Sequence, residues 1–265
     1  MAKFDYQSFC AQKLQVVDKN AHQVPFVLNK IQQKYLEIRG KRNLILKARQ
    51  QGFSTFIVAE SMLKFLLKRN YFIMIIADEA DNAAGLLSRA KFFLKSFEDS
   101  YRTKVPLKYN SKYELHHSQN NSTLLIGSAR NINVGRSKTI NKLHLSEAAF
   151  YPDLEGLLNG VLQAVPPDGE VDIETTANGF NYFKTFWDKA TLGESDFKPL
   201  FFPASDFYSS EFLAVKKNEL GRFFSQEYPE NPQEAFLTSG QTYFDKDALA
   251  YYLSQARKPL KGEDV

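Results

Sequence analysis

The sequence predicts an α/β protein, a mostly parallel sheet flanked by helices, with a small C-terminal subdomain. Five apolar runs rich in β-forming residues carry that prediction: NLILK at 43–47, YFIMIIA at 71–77, NKLHLS at 141–146, EVDIETT at 170–176 and KPLFFP at 198–203. Helix-periodic stretches at 54–69, 80–98 and 155–164 separate most of them, and strands that alternate with helices pair in parallel through crossovers. From about 205 the pattern turns helical and aromatic, then reaches EYPENPQEAF, where prolines interrupt regular structure. A core over 1–205 and a small lid or linker over 206–265 are expected.

The elements follow in order. NLILK is short and apolar enough for a buried strand, and the stretch after KARQQGFST places Phe56, Ile57, Ala59, Met62, Leu63 and Leu66 at helical spacing. YFIMIIA leads into ADEA and a second helical stretch. YELHHSQNNSTLLIGSA contains two alternating segments joined by the turn-rich SQNNS, which predicts a β-hairpin or a small antiparallel extension. NKLHLS ends in Ser146 and Glu147, and EVDIETT runs into ANG, a natural turn. Neither an internal repeat nor a low-complexity tract is present.

With 265 residues and 43 % hydrophobic content, the chain can bury a large core. Its balance of 34 Lys and Arg against 30 Asp and Glu permits a nucleic-acid partner without requiring one. Cys10 is the single cysteine, so an internal disulfide is excluded, and the histidines at 22, 116, 117 and 144 have no zinc-site spacing. No apolar stretch reaches the ~20 residues of a membrane span, and MAKFDYQSFC lacks the apolar region of a signal peptide. These features predict a cytosolic protein with no membrane partner.

KARQQGFST, at 47–55, joins a strand to a helix. A standard phosphate loop reads GxxxxGK[ST], its amides wrapping phosphates, its Lys neutralising them and its hydroxyl binding Mg²⁺. Gly52 and Ser54 fit the last Gly and the hydroxyl, but Lys47 stands at the first Gly and Phe53 at the usual Lys. The stretch is either a deviant phosphate loop or a strand-to-helix turn capped by Ser54 or Thr55. Lys47 and Arg49 put cations where a helix N-terminus already favours anions. A nucleotide hydrolase also needs an acid at a strand end to polarise water, and two candidates compete: Asp78 with Glu79, and Glu147 after Ser146.

Taken together, KARQQGFST, LHLSEAAFYPD, IETTANGFNYF and EYPENPQEAF resemble, in order, the ATPase domain of phage large terminases, the motors that pump DNA into capsids. The resemblance runs from about 24 to 245 and implies a P-loop NTPase of the ASCE type that binds ATP and Mg²⁺. Some members of the family carry the loop lysine at its beginning, where Lys47 stands. Arg49, Gln50, Gln51, Gly52, Phe53, Ser54 and Thr55 then form the loop, with Ser54 the Mg²⁺ ligand. The same pattern makes Glu147 the catalytic carboxylate, with Ser146 at the metal position usually held by Asp, a neutral ligand that weakens that side of the site. Gln32, or its neighbour Gln33, matches the adenine-reading Gln. Thr175, Thr176 and Asn178 match the coupling motif that senses the γ-phosphate. Arg136 falls near the arginine that reaches a neighbouring subunit's ATP, with Arg130 the alternative.

By the same resemblance, the expected partners are double-stranded DNA, the phage portal protein, the small terminase subunit and further copies of the chain in a ring. The expected location is the host-cell cytoplasm, transiently docked on the procapsid. Full terminases add an RNase H-like nuclease; this chain reaches KPLKGEDV soon after EYPENPQEAF, so it is expected to be the ATPase half alone and not to cut DNA. The competing functions are a helicase-like DNA-stimulated ATPase and a non-hydrolysing DNA or capsid adaptor with a degenerate nucleotide site.

Overall fold

The structure, a computed structural model, describes residues 4–130, 138–238 and 246–255. An N-terminal layer comes first: α1 (Tyr6–Lys13), the short antiparallel pair β1 (Gln15–Val17) and β2 (Gln23–Pro25), and α2 (Lys30–Ile38). Asn29 caps α2 and Gln32 returns a bond to the Asn29 backbone, a capping box. The core then alternates: β3 (Arg42–Lys47), α3 (Phe53–Leu67), β4 (Phe72–Ala77), α4 (Ala80–Tyr101), β5 (Leu107–Asn110), β6 (Glu114–His117), β7 (Thr123–Ser128), β8 (Lys142–Ser146), α5 (Leu154–Val161), β9 (Glu170–Thr175), α6 (Tyr182–Thr191) and β10 (Lys198–Phe202). Beyond it lie α7 (Ser210–Leu220), α8 (Phe224–Glu227), α9 (Pro232–Thr238) and α10 (Lys246–Gln255).

One sheet of eight strands, ordered β10-β3-β9-β8-β4-β7-β6-β5, organises the core. The strands from β10 to β7 pair in parallel, and β7, β6 and β5 continue it antiparallel. The five apolar runs are the five parallel strands expected of them. The hairpin also forms, but its second strand pairs with β4 and so enlarges the main sheet. β1, β2 and β5 are additions the sequence pattern did not reveal, being three or four residues long and mostly exposed.

The two faces of the sheet differ. One packs Leu44, Leu46, Leu143, Leu145, Val171 and Ile173 against α5 and α6 through Leu157, Leu158, Phe183 and Trp187. The other, beneath α3, is apolar at β4 and β7 but polar at its centre. There β9 presents Glu170, Asp172 and Glu174 at alternate positions beside Lys142, His144 and Ser146 of β8. Lys142 is fully buried, with Nζ 2.9 Å from Glu60 of α3 and 2.7 Å from Asp172. Tyr35 donates to Asp172, as does Asn43 Nδ2 at 2.8 Å, and Arg39 reaches Glu60 at 2.8 Å. α3 is otherwise apolar almost all round, the pattern of a core helix. No helix among the described residues is long and apolar enough to cross a membrane.

The segment after 205 folds over the loop that follows β3. Tyr208, Phe212, Leu213, Leu220 and Phe224 gather with Tyr228 around Ala48 and Ala204. α9 goes further and inserts Ala235 and Phe236 into the core beside Phe183.

Candidate active site

The site forms at the carboxyl ends of β3, β9 and β8, and the turn between β3 and α3 needs unusual backbone to make it. Gln50 has φ 58° and Gly52 φ 84°. Gly52 is doubly constrained: a Cβ there would lie 2.8 Å from Gln32 Nε2, the atom that donates to the Gly52 carbonyl at 2.8 Å. Only glycine meets the left-handed angle and the close approach together.

The loop residues divide their work. Gln51 turns inward and donates to the Pro203 carbonyl at 2.9 Å. Phe53 also turns inward, its ring packed against Phe202 at 4.7 Å and Tyr35 at 5.6 Å, so only its backbone is left to the loop. Gln32 is buried, with Oε1 accepting from the Asn29 amide at 3.0 Å and Nε2 committed to Gly52, while Gln33 donates to the Leu28 carbonyl. Gln32 thus braces the loop in this structure. Gln50 is exposed, and Thr55 is half-buried in the first turn of α3. Arg49 is held by the C-terminal segment, its guanidinium 2.9 Å from Glu227 and its carbonyl accepting from Tyr208 Oη at 2.8 Å.

Lys47 points into the centre of the site at 4 % exposure. Its Nζ lies 2.8 Å from Glu147 Oε1 and 3.1 Å from Glu174 Oε2. Burial alone would lower its pKa, but Glu147 and Glu174 outweigh that and hold the ammonium above its ordinary range. Glu147 follows β8 in a left-handed conformation, φ 56°, which a non-glycine residue adopts only where its surroundings impose it. Its Oε2 accepts from the Thr176 amide at 3.2 Å. The competing Glu79 instead pairs with Arg130 at 2.7 Å on the surface, and Asp78 accepts from Asn82. Arg136 lies outside the described residues.

Glu174, absent from the residues the sequence predicts for the site, is the most heavily bonded group there. It is fully buried, and its Oε1 accepts from Ser54 Oγ at 2.6 Å and Ser146 Oγ at 2.7 Å, with His144 Nε2 at 3.3 Å. Burial would raise its pKa, yet Lys47, His144 and Ser54 together hold it below the usual carboxylate range. The signal was in the sequence, acids at alternate positions of EVDIE, but alternation in a strand ordinarily marks a wet face. Next along the chain, Thr175 Oγ1 accepts from the Ala149 amide at 3.1 Å, and Asn178 and Asn181 both donate to the Ala149 carbonyl. The TTANG stretch therefore braces the turn that carries Glu147.

A cavity of about 480 Å³ opens beside these residues, bordered by Ser54, Ser146, Glu147 and Thr176 and also by the rival acid Asp78 and by Asp81, with Arg49 and Arg89 supplying cations. The hydroxyls of Ser54 and Ser146 and the carboxylates beside them are hard oxygen donors, the set that suits Mg²⁺. Among the described residues no cluster of three or more His, Cys, Asp or Glu could hold a metal alone.

A mostly parallel sheet with its polar cavity at the carboxyl ends of the strands defines a doubly wound α/β protein. Within that class, its fold is that of the ATPase domain of phage large terminases. The Thermus phage P74-26 large terminase ATPase domain superposes with a TM-score of 0.61 at 18 % identity, over 77 % of this chain and 93 % of that one. The HK97 bacteriophage large terminase gives 0.65 at 14 % identity, over 87 % of this chain and 54 % of its own. The large terminase of a thermophilic bacteriophage, solved in complex with ATP-gamma-S, gives 0.55 at 13 % identity over 74 % of this chain and 50 % of its own. No protein-family model and no curated protein matches the sequence.

Proposed function

We propose that this chain is the ATP-hydrolysing motor domain of a phage large terminase, which drives double-stranded DNA into a procapsid. One observation carries the reading: Lys47 and Glu147 meet at 2.8 Å at the carboxyl ends of parallel strands of one sheet, beside Ser54 at the start of α3. A cation for phosphate, a carboxylate for water and a hydroxyl for Mg²⁺ are the parts that phosphoryl transfer to water requires.

In this reading the β- and γ-phosphates of ATP enter the cavity and take Lys47 as their counter-ion. Glu147, relieved of Lys47, accepts a hydrogen bond from the attacking water and orients it in line with the γ-phosphorus. Mg²⁺, when bound, supplies positive charge to the β- and γ-phosphate oxygens. Ser54 and Ser146 would hold it, and Thr176 stays in contact with Glu147 to register the loss of the γ-phosphate. The loop backbone from Arg49 to Thr55 cradles the phosphates, and Gln32 reads adenine if it exchanges its bond to Gly52 for one to the base. Arg136 of a neighbouring copy in a ring completes the charge, with the portal protein, the small terminase subunit and DNA as partners on the procapsid.

The test is Mg²⁺-dependent ATP hydrolysis over a range of protein concentrations, with and without double-stranded DNA. Glu147→Gln should lower turnover by about 10²- to 10⁴-fold while ATP still binds, and Glu79→Ala should leave it unchanged. A rise steeper than linear with concentration supports Arg136 acting between copies. Full activity in Glu147→Gln would sink the reading, and DNA binding without detectable ATP binding would leave the adaptor function in its place.

A further inference from the structure

We infer that Glu174 is the positioning carboxylate of the magnesium site, supplying from β9 the acid that β8 lacks at Ser146. This rests on the nucleotide-hydrolase reading and names how its metal side is built. A serine hydroxyl binds Mg²⁺ through an oxygen lone pair, so its proton needs an acceptor elsewhere. Glu174 Oε1 is that acceptor for Ser54, at 2.6 Å. Ser146 donates its own hydroxyl to the same oxygen at 2.7 Å, so the protons of both serines end on Glu174 and leave their oxygen lone pairs to a metal.

The register explains why the substitution of one strand for another works. Ser146 and Glu174 are direct partners across the β8–β9 ladder, so their side chains stand side by side on the face beneath α3. Moving the carboxylate from one to the other shifts the negative charge by about one strand spacing, ~4.8 Å. The two Glu174 oxygens divide the work, Oε1 serving the hydroxyls and Oε2 standing 3.1 Å from Lys47. One buried acid thereby ties the metal-side hydroxyl to the phosphate-side cation, and outer partners of this kind set metal affinity.

The experiment titrates Mg²⁺ against a fluorescent non-hydrolysable ATP analogue. It uses the parent chain, Glu174→Gln and the double variant Ser146→Asp with Glu174→Gln, with thermal unfolding as the control for folding. Glu174→Gln should raise the half-saturating Mg²⁺ concentration by about 10- to 100-fold while binding in EDTA changes little. The double variant, with its acid back on β8, should return the Mg²⁺ requirement toward the parent value. Where Glu174→Gln does not fold, Glu174→Asp takes its place, since it keeps the charge and withdraws the oxygen from Ser54; a raised Mg²⁺ requirement is again expected. An unchanged Mg²⁺ requirement in a folded variant overturns the inference. So does an equal loss of binding with and without Mg²⁺, which makes Glu174 only the counter-ion of Lys47, or a double variant that does not recover. If the parent chain binds no analogue under either condition, the nucleotide reading itself fails and the inference falls with it.

Discussion

Lys47 is enclosed by two carboxylates, and the energetics of that enclosure govern what its loss would do. Replacing it with Met leaves Glu174 fully buried and without its cation; breaking a buried pair in this way costs about 3–5 kcal/mol, to be read from urea unfolding. The same group gives a pH dependence. Glu174, Glu60 and Asp172 are all held below their ordinary carboxylate values despite burial, which opposes the shift in each; Lys47 acts on the first and Lys142 on the other two. A carboxylate with a depressed folded pKa contributes stability that is fully present above its unfolded value of about 4 and lost as pH falls through the folded one. Urea midpoints should therefore drop steeply on the acid side of about pH 4, and Glu174→Gln should make that drop shallower. Lys142 behaves oppositely, its pKa raised by Asp172 and Glu60 against burial. Its contribution is present at neutral pH and is lost only as pH rises past the ordinary lysine range through its folded value.

At the scale of elements, α3 and β9 organise the molecule. α3 begins at Gly52, and Gly52→Ala should disturb its start twice, by strain at φ 84° and by the 2.8 Å clash with Gln32. A loss of stability of about 1–3 kcal/mol should appear in unfolding, together with weaker nucleotide binding. At the other end of the polar ribbon, Lys142→Met removes the cation shared by Glu60 and Asp172. Destabilisation of about 3–5 kcal/mol is expected, with the Lys47–Glu147 end of the sheet left in place. Most of the core was legible because each apolar run is bounded by a turn and the helices at 54–69, 80–98 and 155–164 keep their period; α6 was missed, as were β1, β2 and β5, whose three or four residues carry no period. Lys47 and Glu147 were singled out by resemblance, and the structure adds their 2.8 Å contact. Glu174 was hidden for a physical reason: alternating acids in a strand signal solvent only when one face is wet, and β9 is covered on both. What its sequence could not show is that Lys47, Lys142, Ser54 and Ser146, distant along the chain, converge on those acids.

For the whole molecule, the segment after 205 is both clasp and core component. Glu227 holds Arg49 at the loop, while Phe236 is buried beside Phe183 at 1 % exposure. Phe236→Ala should cost about 3–5 kcal/mol, seen as a lower thermal midpoint, whereas Glu227→Gln should change stability little and loosen the loop. The polar ribbon beneath α3 has a further consequence, for how the fold comes apart. Apolar side chains tolerate a swollen interior, because their attraction fades gradually with separation. A charge such as Lys142, paired at 2.7 Å and sealed from water, has no comparable intermediate: it is either in place or must be hydrated. The interior should therefore yield all at once near neutral pH, with calorimetric and van't Hoff enthalpies of unfolding in agreement and no dye-binding compact state along the way.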